Sequence, residues 1–342
     1  MAEIKVNNKL IGDNHPAYII AEIGSNHNNH YDIAIEMIDK AKISGCDAVK
    51  FQTFKADLHY SKYTPQHSKY EENLFDLIGR LEIKREWHQK LKKYCDSHEI
   101  DFFTSPCDQE AINEMSMLKV GLLKLASFDL TDIKLIESMA KTQIPIIMST
   151  GLATLSDIEI AVNVCLNNNN SSIALLQCTS MYPAPVRLSN LNSMSVLKSA
   201  FNCVVGYSDH TVGDHIVLGA VAMGAKIIEK HYTLDRGMSG PDHNFAIEPA
   251  ELKDMVSKIR DIEQAFGDGL KNGAREEEKE NLLLRRSLMV NVDIRQGEVI
   301  NSDNIVIKRP GYGIMPKFFD IVVGRTAKVD IKKDEWITWD MF

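Results

Sequence analysis

Two histidines, two lysines and a set of hydroxyl side chains carry most of the chemistry this sequence offers. The stretch 226–233, KIIEKHYT, opens like a buried strand and then places Glu229, Lys230 and His231 near its end. Burying an unpaired charge costs on the order of several kcal/mol, so that end is either solvated or lines a polar site. The stretch 203–210, CVVGYSDH, closes in the same way on Ser208, Asp209 and His210. Side chains alternate across a strand, so Glu229, His231 and Thr233 share a face, as do Ser208 and His210. Imidazoles on neighbouring strands, about 4.8 Å apart, can share one metal ion. Two nitrogens alone make an open site that water or substrate completes, and such an ion polarises a carbonyl. Two satisfied structural histidines are the alternative.

Lys50 and Lys124 belong to two further stretches of this kind, and Ser105, Ser127, Ser149 and Ser208 lie at or just past strand ends. Lysines among hydroxyls suit phosphate or carboxylate. They could instead pair with Glu22 and Glu229, or one desolvated lysine could form a Schiff base, as in class I aldolases. Asp242, in the turn sequence GPDH (240–243), could bind a polyol.

Eight β-rich runs must position these residues: 17–24, 47–54, 101–107, 122–127, 145–150, 173–180, 203–210 and 226–233. Helical periodicity separates them, for example over 31–45, 132–142 and 155–166. Continuous apolar strands alternating with helices predict a parallel sheet covered by helices. Eight such units in about 250 residues predict a (β/α)₈ TIM barrel, whose chemistry sits at the C-terminal ends of its strands. A doubly wound open sheet is the structural alternative, but no GxGxxG follows the first run. Nearly every run opens apolar and closes polar, which marks the ends as a barrel mouth. The barrel is assigned to 1–266.

Residues 267–284 are charge-dense and read as a linker or a polar helical turn, and 285–342 as a small, mostly β domain. Within the latter, VDIRQGEVINSDNI (292–305) and VDIKKDEWITWDMF (329–342) form an internal repeat. The stretch 55–84 is long for a βα loop and is a lid candidate, with a surface insertion carrying a helical turn as the alternative. A net charge of −8 argues against a nucleic-acid or anionic-membrane surface. No apolar run is long enough to span a membrane, and the N-terminus lacks a signal-peptide core. Six scattered cysteines without CxxC spacing suggest free thiols in a reducing, cytoplasmic compartment.

In order along the chain stand AEIGSNH (21–27), VKFQTF (49–54), STG (149–151), QCTSMYP (177–183), GYSDHT (206–211), EKHYTLD (229–235), GPDH (240–243) and KRPGYG (308–313). Together they resemble the sialic acid synthase family, which includes N-acetylneuraminate and N,N'-diacetyllegionaminate synthases. The resemblance covers almost the whole chain. It implies a (β/α)₈ barrel followed by an antifreeze-like (SAF, β-clip) domain. It also implies condensation of phosphoenolpyruvate with an N-acylated mannosamine-type sugar, giving a nine-carbon 2-keto acid and phosphate. A divalent metal, Mn²⁺ first with Mg²⁺ or Co²⁺ as alternatives, would be held by His210 and His231. Phosphoenolpyruvate contacts map onto Lys50, Ser105, Lys124, Ser127, Ser149 and Ser208, and Glu22 falls near the reacting centre. Sugar contacts map onto Gln52, Tyr182 and Asp242. Arg309 would cap the sugar site of the partner in a domain-exchanged homodimer. Some members carry Asn where this chain has Ser180, so the carboxylate contact of that Asn is either lost here or replaced by a hydroxyl; some carry Phe at Cys107 and others Glu at Asp129. These departures leave the reaction class standing and the identity of the sugar open.

The sequence is thus read as a metal-dependent, phosphoenolpyruvate-dependent transferase that forms a carbon–carbon bond. The rivals are another phosphoenolpyruvate-dependent 3-deoxy-aldulosonate synthase, a class I Schiff-base aldolase, and an ice- or sugar-binding protein.

Overall fold

The computed structural model describes residues 2–65, 72–271 and 273–342, and the chain divides into two units, Met1–Gly267 and Asp268–Phe342. The first opens with an antiparallel hairpin, β1 (Glu3–Val6) and β2 (Lys9–Gly12), turning at Asn7 with φ 51°. Ile4, Val6 and Ile11 join the main core. Asn7 and Lys9 reach Asp101 and Asp47, at the start of two barrel strands, so the hairpin lies at the end of the barrel opposite its mouth.

Eight parallel strands follow: β3 (Tyr18–Gly24), β4 (Ala48–Thr53), β5 (Asp101–Pro106), β6 (Leu123–Leu125), β7 (Ile146–Ser149), β8 (Ile173–Cys178), β9 (Val204–Asp209) and β10 (Ile227–His231). Each coincides within two residues with one of the eight apolar runs. Their order, β5-β4-β3-β10-β9-β8-β7-β6, is that of a closed circle. At its seam β5 and the short β6 stand side by side, with no ladder joining them among the described residues. Every residue of β3, β8, β9 and β10 is buried, because these strands face side chains inside the barrel and helices outside it. Gly206 in β9 admits no side chain: a Cβ there would lie 2.3 Å from the Ile227 carbonyl oxygen of β10.

Eight helices cover the strands: Tyr31–Ile43, Glu86–Ser97, Gln109–Met117, Ile133–Lys141, Leu155–Asn167, Ser193–Phe201, His215–Ala222 and Pro249–Ala265. Tyr31–Ile43 shows the rule, burying Ala34, Met37, Ile38 and Ala41 as one stripe. Asp132 starts Ile133–Lys141 by accepting from the Leu135 N–H at 3.0 Å. The stretch 55–84 contains the helices Ala56–His59 and Leu74–Leu81, and its residues 66–71 lie outside those described. No helix among the described residues is long and apolar enough to cross a membrane.

The second unit begins with a 3₁₀ segment, Glu276–Leu284, and pairs β11 (Ser287–Val290) with β12 (Ile305–Lys308). Its core includes Leu288, Ile294, Ile300, Ile331 and Ile337. The sequence repeat is a structural duplication. Ile294 and Ile331 exchange backbone hydrogen bonds at 2.9 and 2.8 Å. Asp330 accepts from the Gln296 N–H at 2.7 Å, and Asp293 from the Lys333 N–H at 2.8 Å.

Candidate active site

Strand register brings the polar ends together. Glu22 of β3 stands opposite Lys50 of β4 and His231 of β10, Gln52 opposite Ser105, and Glu229 opposite Ser208. The ends enclose a cavity of about 690 Å³. All thirteen barrel residues singled out from the sequence line it: Glu22, Lys50, Gln52, Ser105, Lys124, Ser127, Ser149, Ser180, Tyr182, Ser208, His210, His231 and Asp242. Arg309, in the second unit, is exposed.

At the base lies a chain of buried charges. Lys50 Nζ is 2.8 Å from Glu22 Oε2 and 3.7 Å from Glu229 Oε1, and donates to Ser105 Oγ at 3.3 Å. Lys124 Nζ is 3.9 Å from Glu229 Oε1 and donates to the Leu125 carbonyl at 2.9 Å. Gln52 donates to Glu22 Oε1 at 2.8 Å, and Ser208 to Glu229 Oε1 at 3.1 Å. Burial and the charge of Glu229 raise the Glu22 pKa against the pull of Lys50. Burial also opposes ionisation of Glu229, but Lys124 and Lys50 outweigh it and hold that carboxyl below its ordinary range. Burial lowers the pKa of Lys124, Glu229 opposes that, and the neighbouring Lys50 adds to the lowering. For Lys50 burial is overcome by Glu22 and Glu229, which raise it. Glu229, read from the sequence only as a possible partner of the lysines, is the hub of this cluster. Its place two residues before His231, on the same face, was the available signal.

The histidine pair sits beside this cluster, with ring centres 5.2 Å apart. His210 Nδ1 is 2.7 Å from the Thr179 carbonyl oxygen, which can only accept, so Nδ1 carries a proton and Nε2 is the nitrogen turned to a ligand; burial opposes protonation of this ring, but Cys178 and that carbonyl outweigh it and raise its pKa. A carbonyl on the far ring nitrogen is the usual support of a metal-binding imidazole. His231 Nδ1 is buried without a hydrogen bond and lies 3.8 Å from Asp242 Oδ2. Burial, with His210 and the lysines adding to it, drives the His231 pKa well down, so the ring is neutral and able to coordinate. The residues present therefore fit a divalent ion. Among the described residues no group of three or more His, Cys, Asp or Glu converges on one point, so an ion held by the two imidazoles would take its other ligands from outside these residues. Tyr182 packs over both rings, at 4.2 Å from His210 and 5.9 Å from His231.

The hydroxyl side is built on a close approach. Ser127 Oγ accepts from the Gly151 N–H at 3.0 Å, and a Cβ at Gly151 would lie 2.3 Å from Ser180 Oγ. Ser149 Oγ and Ser180 Oγ are buried without hydrogen-bond partners. Glu229 Oε2 is likewise buried without a hydrogen bond, whereas Glu22 Oε2 is held by Lys50. Cys107 and Asp129 also line the cavity, with Sγ 3.8 Å from Oδ2.

The family model of the NeuB family matches residues 37–271, and that of the SAF domain residues 285–342. The N,N'-diacetyllegionaminic acid synthase of Campylobacter jejuni serotype O:2 is 41% identical over 93% of this chain and 98% of its own. The enzyme of that name from Legionella pneumophila is 35% identical over 98% of each. Among solved structures, the N-acetylneuraminic acid synthetase of Leptospira borgpetersenii superposes with a TM-score of 0.73 at 36% identity, covering 82% of this chain and 95% of that one. The chain belongs to the NeuB family of sialic acid synthase-like enzymes.

Proposed function

We propose that this enzyme condenses phosphoenolpyruvate with the open-chain aldehyde of an N-acylated mannosamine-type sugar, releasing phosphate and forming a nine-carbon 2-keto acid. The observation that carries the reading is the juxtaposition, in one cavity, of two buried lysines on shared carboxylates with a pair of imidazoles able to coordinate. Lys50 and Lys124, with Ser105, Ser127, Ser149 and Ser208, hold the phosphate and carboxylate of phosphoenolpyruvate, and Ser180 offers its unpaired hydroxyl to the same anion. His210 and His231 would hold the divalent metal, Mn²⁺ by preference, which as a Lewis acid polarises the aldehyde carbonyl. Gln52, Tyr182 and Asp242 orient the sugar.

The phosphoenolpyruvate C3 bonds to the aldehyde carbon, leaving an oxocarbenium-like C2. Water adds at C2, and the tetrahedral intermediate breaks its C2–O bond to phosphate, so the bridging oxygen departs with phosphate. Glu22, whose burial raises its pKa, takes one proton of that water and passes it to the alkoxide formed on the former aldehyde carbon, while the remaining proton of the C2 hydroxyl leaves with phosphate as the ketone forms. The working form in this reading is a cytoplasmic, domain-exchanged homodimer in which Arg309 of one protomer caps the sugar of the other.

One observation favours a second reading, the Schiff-base aldolase: Lys124 is buried and its pKa is lowered. Phosphoenolpyruvate carrying ¹⁸O at the bridge separates the two. Condensation by C–O cleavage gives labelled phosphate and no lysine trapped by borohydride. Unlabelled phosphate together with a borohydride-trapped Lys124 would establish the aldolase, whose imine sheds the C2 oxygen to water.

A further inference from the structure

The turn GPDH (240–243) belongs to a loop that is fastened to the strand carrying His231. The chain leaves β10 at Thr233 and returns beside it: the Ile247 N–H donates to the His231 carbonyl at 2.9 Å, and the Thr233 N–H to the Ile247 carbonyl at 3.0 Å. His243 bolts the loop in between. Asn28, just past β3, donates through Nδ2 to the Ser239 carbonyl at 3.0 Å, so its Oδ1 faces His243 Nε2 at 3.3 Å as an acceptor. His243 Nε2 therefore carries the proton, and Nδ1 accepts from the Thr233 hydroxyl at 2.6 Å. Buried, with both nitrogens engaged, this imidazole is a fastening and not a ligand. Its ring is closely enclosed: a Cβ at Gly240 would lie 2.7 Å from His243 Cδ2. Phe245 then packs on the His231 ring, with centres 5.2 Å apart.

What this loop presents to the cavity is Asp242. His210 has the Thr179 carbonyl on its Nδ1, whereas His231 Nδ1 is buried without a hydrogen bond and has Asp242 Oδ2 at 3.8 Å. An N–H···O bond spans about 2.7–3.2 Å, and rotation of a partly exposed carboxylate closes the difference. Metal-binding imidazoles almost always donate their other N–H to such a group. Among the described residues no third His, Cys, Asp or Glu converges with the two rings, so Asp242 stands behind His231 and not beside it as a further ligand.

We propose that Asp242 is the hydrogen-bond acceptor of His231 Nδ1–H, leaving Nε2 for the metal ion, and that His243 is the positioning residue that holds Asp242 there. The inference rests on the reading of His210 and His231 as metal ligands, and it gives Asp242 a partner besides the sugar. A carboxylate on the far nitrogen fixes the tautomer and orientation of the ring and makes Nε2 a stronger donor. His243 does not line the cavity and acts only through the loop.

The test is Mn²⁺ binding to the full chain without substrates, followed by EPR. Asp242→Ala should bind Mn²⁺ about 10- to 100-fold more weakly, and Asp242→Asn, whose amide oxygen still accepts, should lose less. His243→Leu should also weaken binding. Asn28→Gly, which frees the loop from the other side and keeps the left-handed backbone at φ 48°, should do the same and serves if His243→Leu does not fold. The double variant Asn28→Gly, Asp242→Ala should bind no worse than Asp242→Ala, because both changes act through one hydrogen bond. In the Co²⁺-loaded parent, proton NMR should show a hyperfine-shifted, solvent-exchangeable N–H for each imidazole, and Asp242→Ala should lose that of His231 to fast exchange. Unchanged Mn²⁺ affinity in Asp242→Ala with only the sugar KM raised, or survival of both N–H signals, would overturn the role of Asp242. Additive losses in the double variant would overturn the role of His243. A parent that binds no Mn²⁺ would overturn the metal reading itself, which is a different outcome.

Discussion

Lys230 Nζ donates to Asp209 Oδ2 at 2.6 Å, with both side chains almost wholly enclosed, and so one ion pair ties the residue before His231 to the residue before His210. The two residues stand opposite each other in β10 and β9. Asp209 also accepts from the Thr211 N–H and hydroxyl, each at 3.0 Å, and Lys230 donates to the Thr211 carbonyl. The chain is thereby folded around His210. Replacing a buried ion pair with well-packed apolar residues is often neutral or stabilising, so stability alone does not account for this one. Lys230→Met alone, which strands Asp209, should destabilise the barrel by about 3–5 kcal/mol. The double variant Lys230→Met, Asp209→Leu should recover most of that in thermal denaturation. It should nevertheless bind Mn²⁺ about tenfold or more weakly by EPR titration, because the imidazoles lose their common support. Unchanged Mn²⁺ affinity would make the pair purely structural, while a His231→Ala control that still binds Mn²⁺ would remove the metal site itself.

The two central carboxylates should answer pH in opposite senses. The Glu22 pKa is raised, so its ionised form is disfavoured by folding, and that cost is relieved as pH falls through the folded value. The Glu229 pKa is lowered, so it contributes stability above its unfolded value, about 4.3, which is lost as pH falls through the folded value. Glu229→Gln should therefore lose about 3 kcal/mol at pH 7 in urea denaturation and show a shallower acid limb than the parent. Glu22→Gln should stay within about 1 kcal/mol of the parent, since Lys50 keeps Glu229 at 3.7 Å. If Glu22→Gln proves the more damaging of the two at pH 7, the charge arrangement is wrong.

A methyl at Gly151 should be felt as weaker substrate binding rather than unfolding. Its Cβ would fall 2.3 Å from Ser180 Oγ and 2.9 Å from Ser127 Oγ, so both hydroxyls must rotate away. Gly151→Ala should raise KM for phosphoenolpyruvate about tenfold, the worth of a hydrogen bond or two, with little change in melting temperature. A KM equal to that of the parent would show that these hydroxyls do not meet the substrate.

Much of this was legible because parallel barrel strands are buried on both faces. They read as unbroken apolar runs, and polar residues can then appear only at their ends. That logic located all eight strands and gathered Glu22, Lys50, Lys124, His210 and His231 at one mouth. It failed where elements are too short or too isolated for periodicity. The four-residue strands EIKV and KLIG show no run, and their place is set by Asp47 and Asp101, distant in sequence. In the helix Leu74–Leu81 the apolar stripe of Leu74, Leu77, Ile78 and Leu81 was readable by spacing, but it lies inside a long insertion whose helix could not be told from a loop. Lys230 looked like a site residue because it sits between Glu229 and His231. Strand alternation sends it outward, to Asp209. In the small unit the repeat was visible as matching residues, and its pairing through Ile294 and Ile331 required the fold.

The proposed exchange of small domains can be tested by complementation. Arg309 is exposed in its own unit, and on the proposed reading it completes the sugar site of the partner protomer. Arg309→Ala and His231→Ala should each be nearly inactive alone. Unfolded together and refolded at equal concentration, random pairing makes about half the dimers mixed. In a mixed dimer, the barrel that keeps His231 belongs to the Arg309→Ala chain, and the other chain supplies the intact Arg309. One of its two sites is whole, while the other carries both lesions. About a quarter of parent activity should therefore return. If Arg309 serves its own chain, every site keeps one lesion and nothing returns. A refolded mixture no more active than its parents, with mixed dimers present by native mass spectrometry, would rule out the exchange.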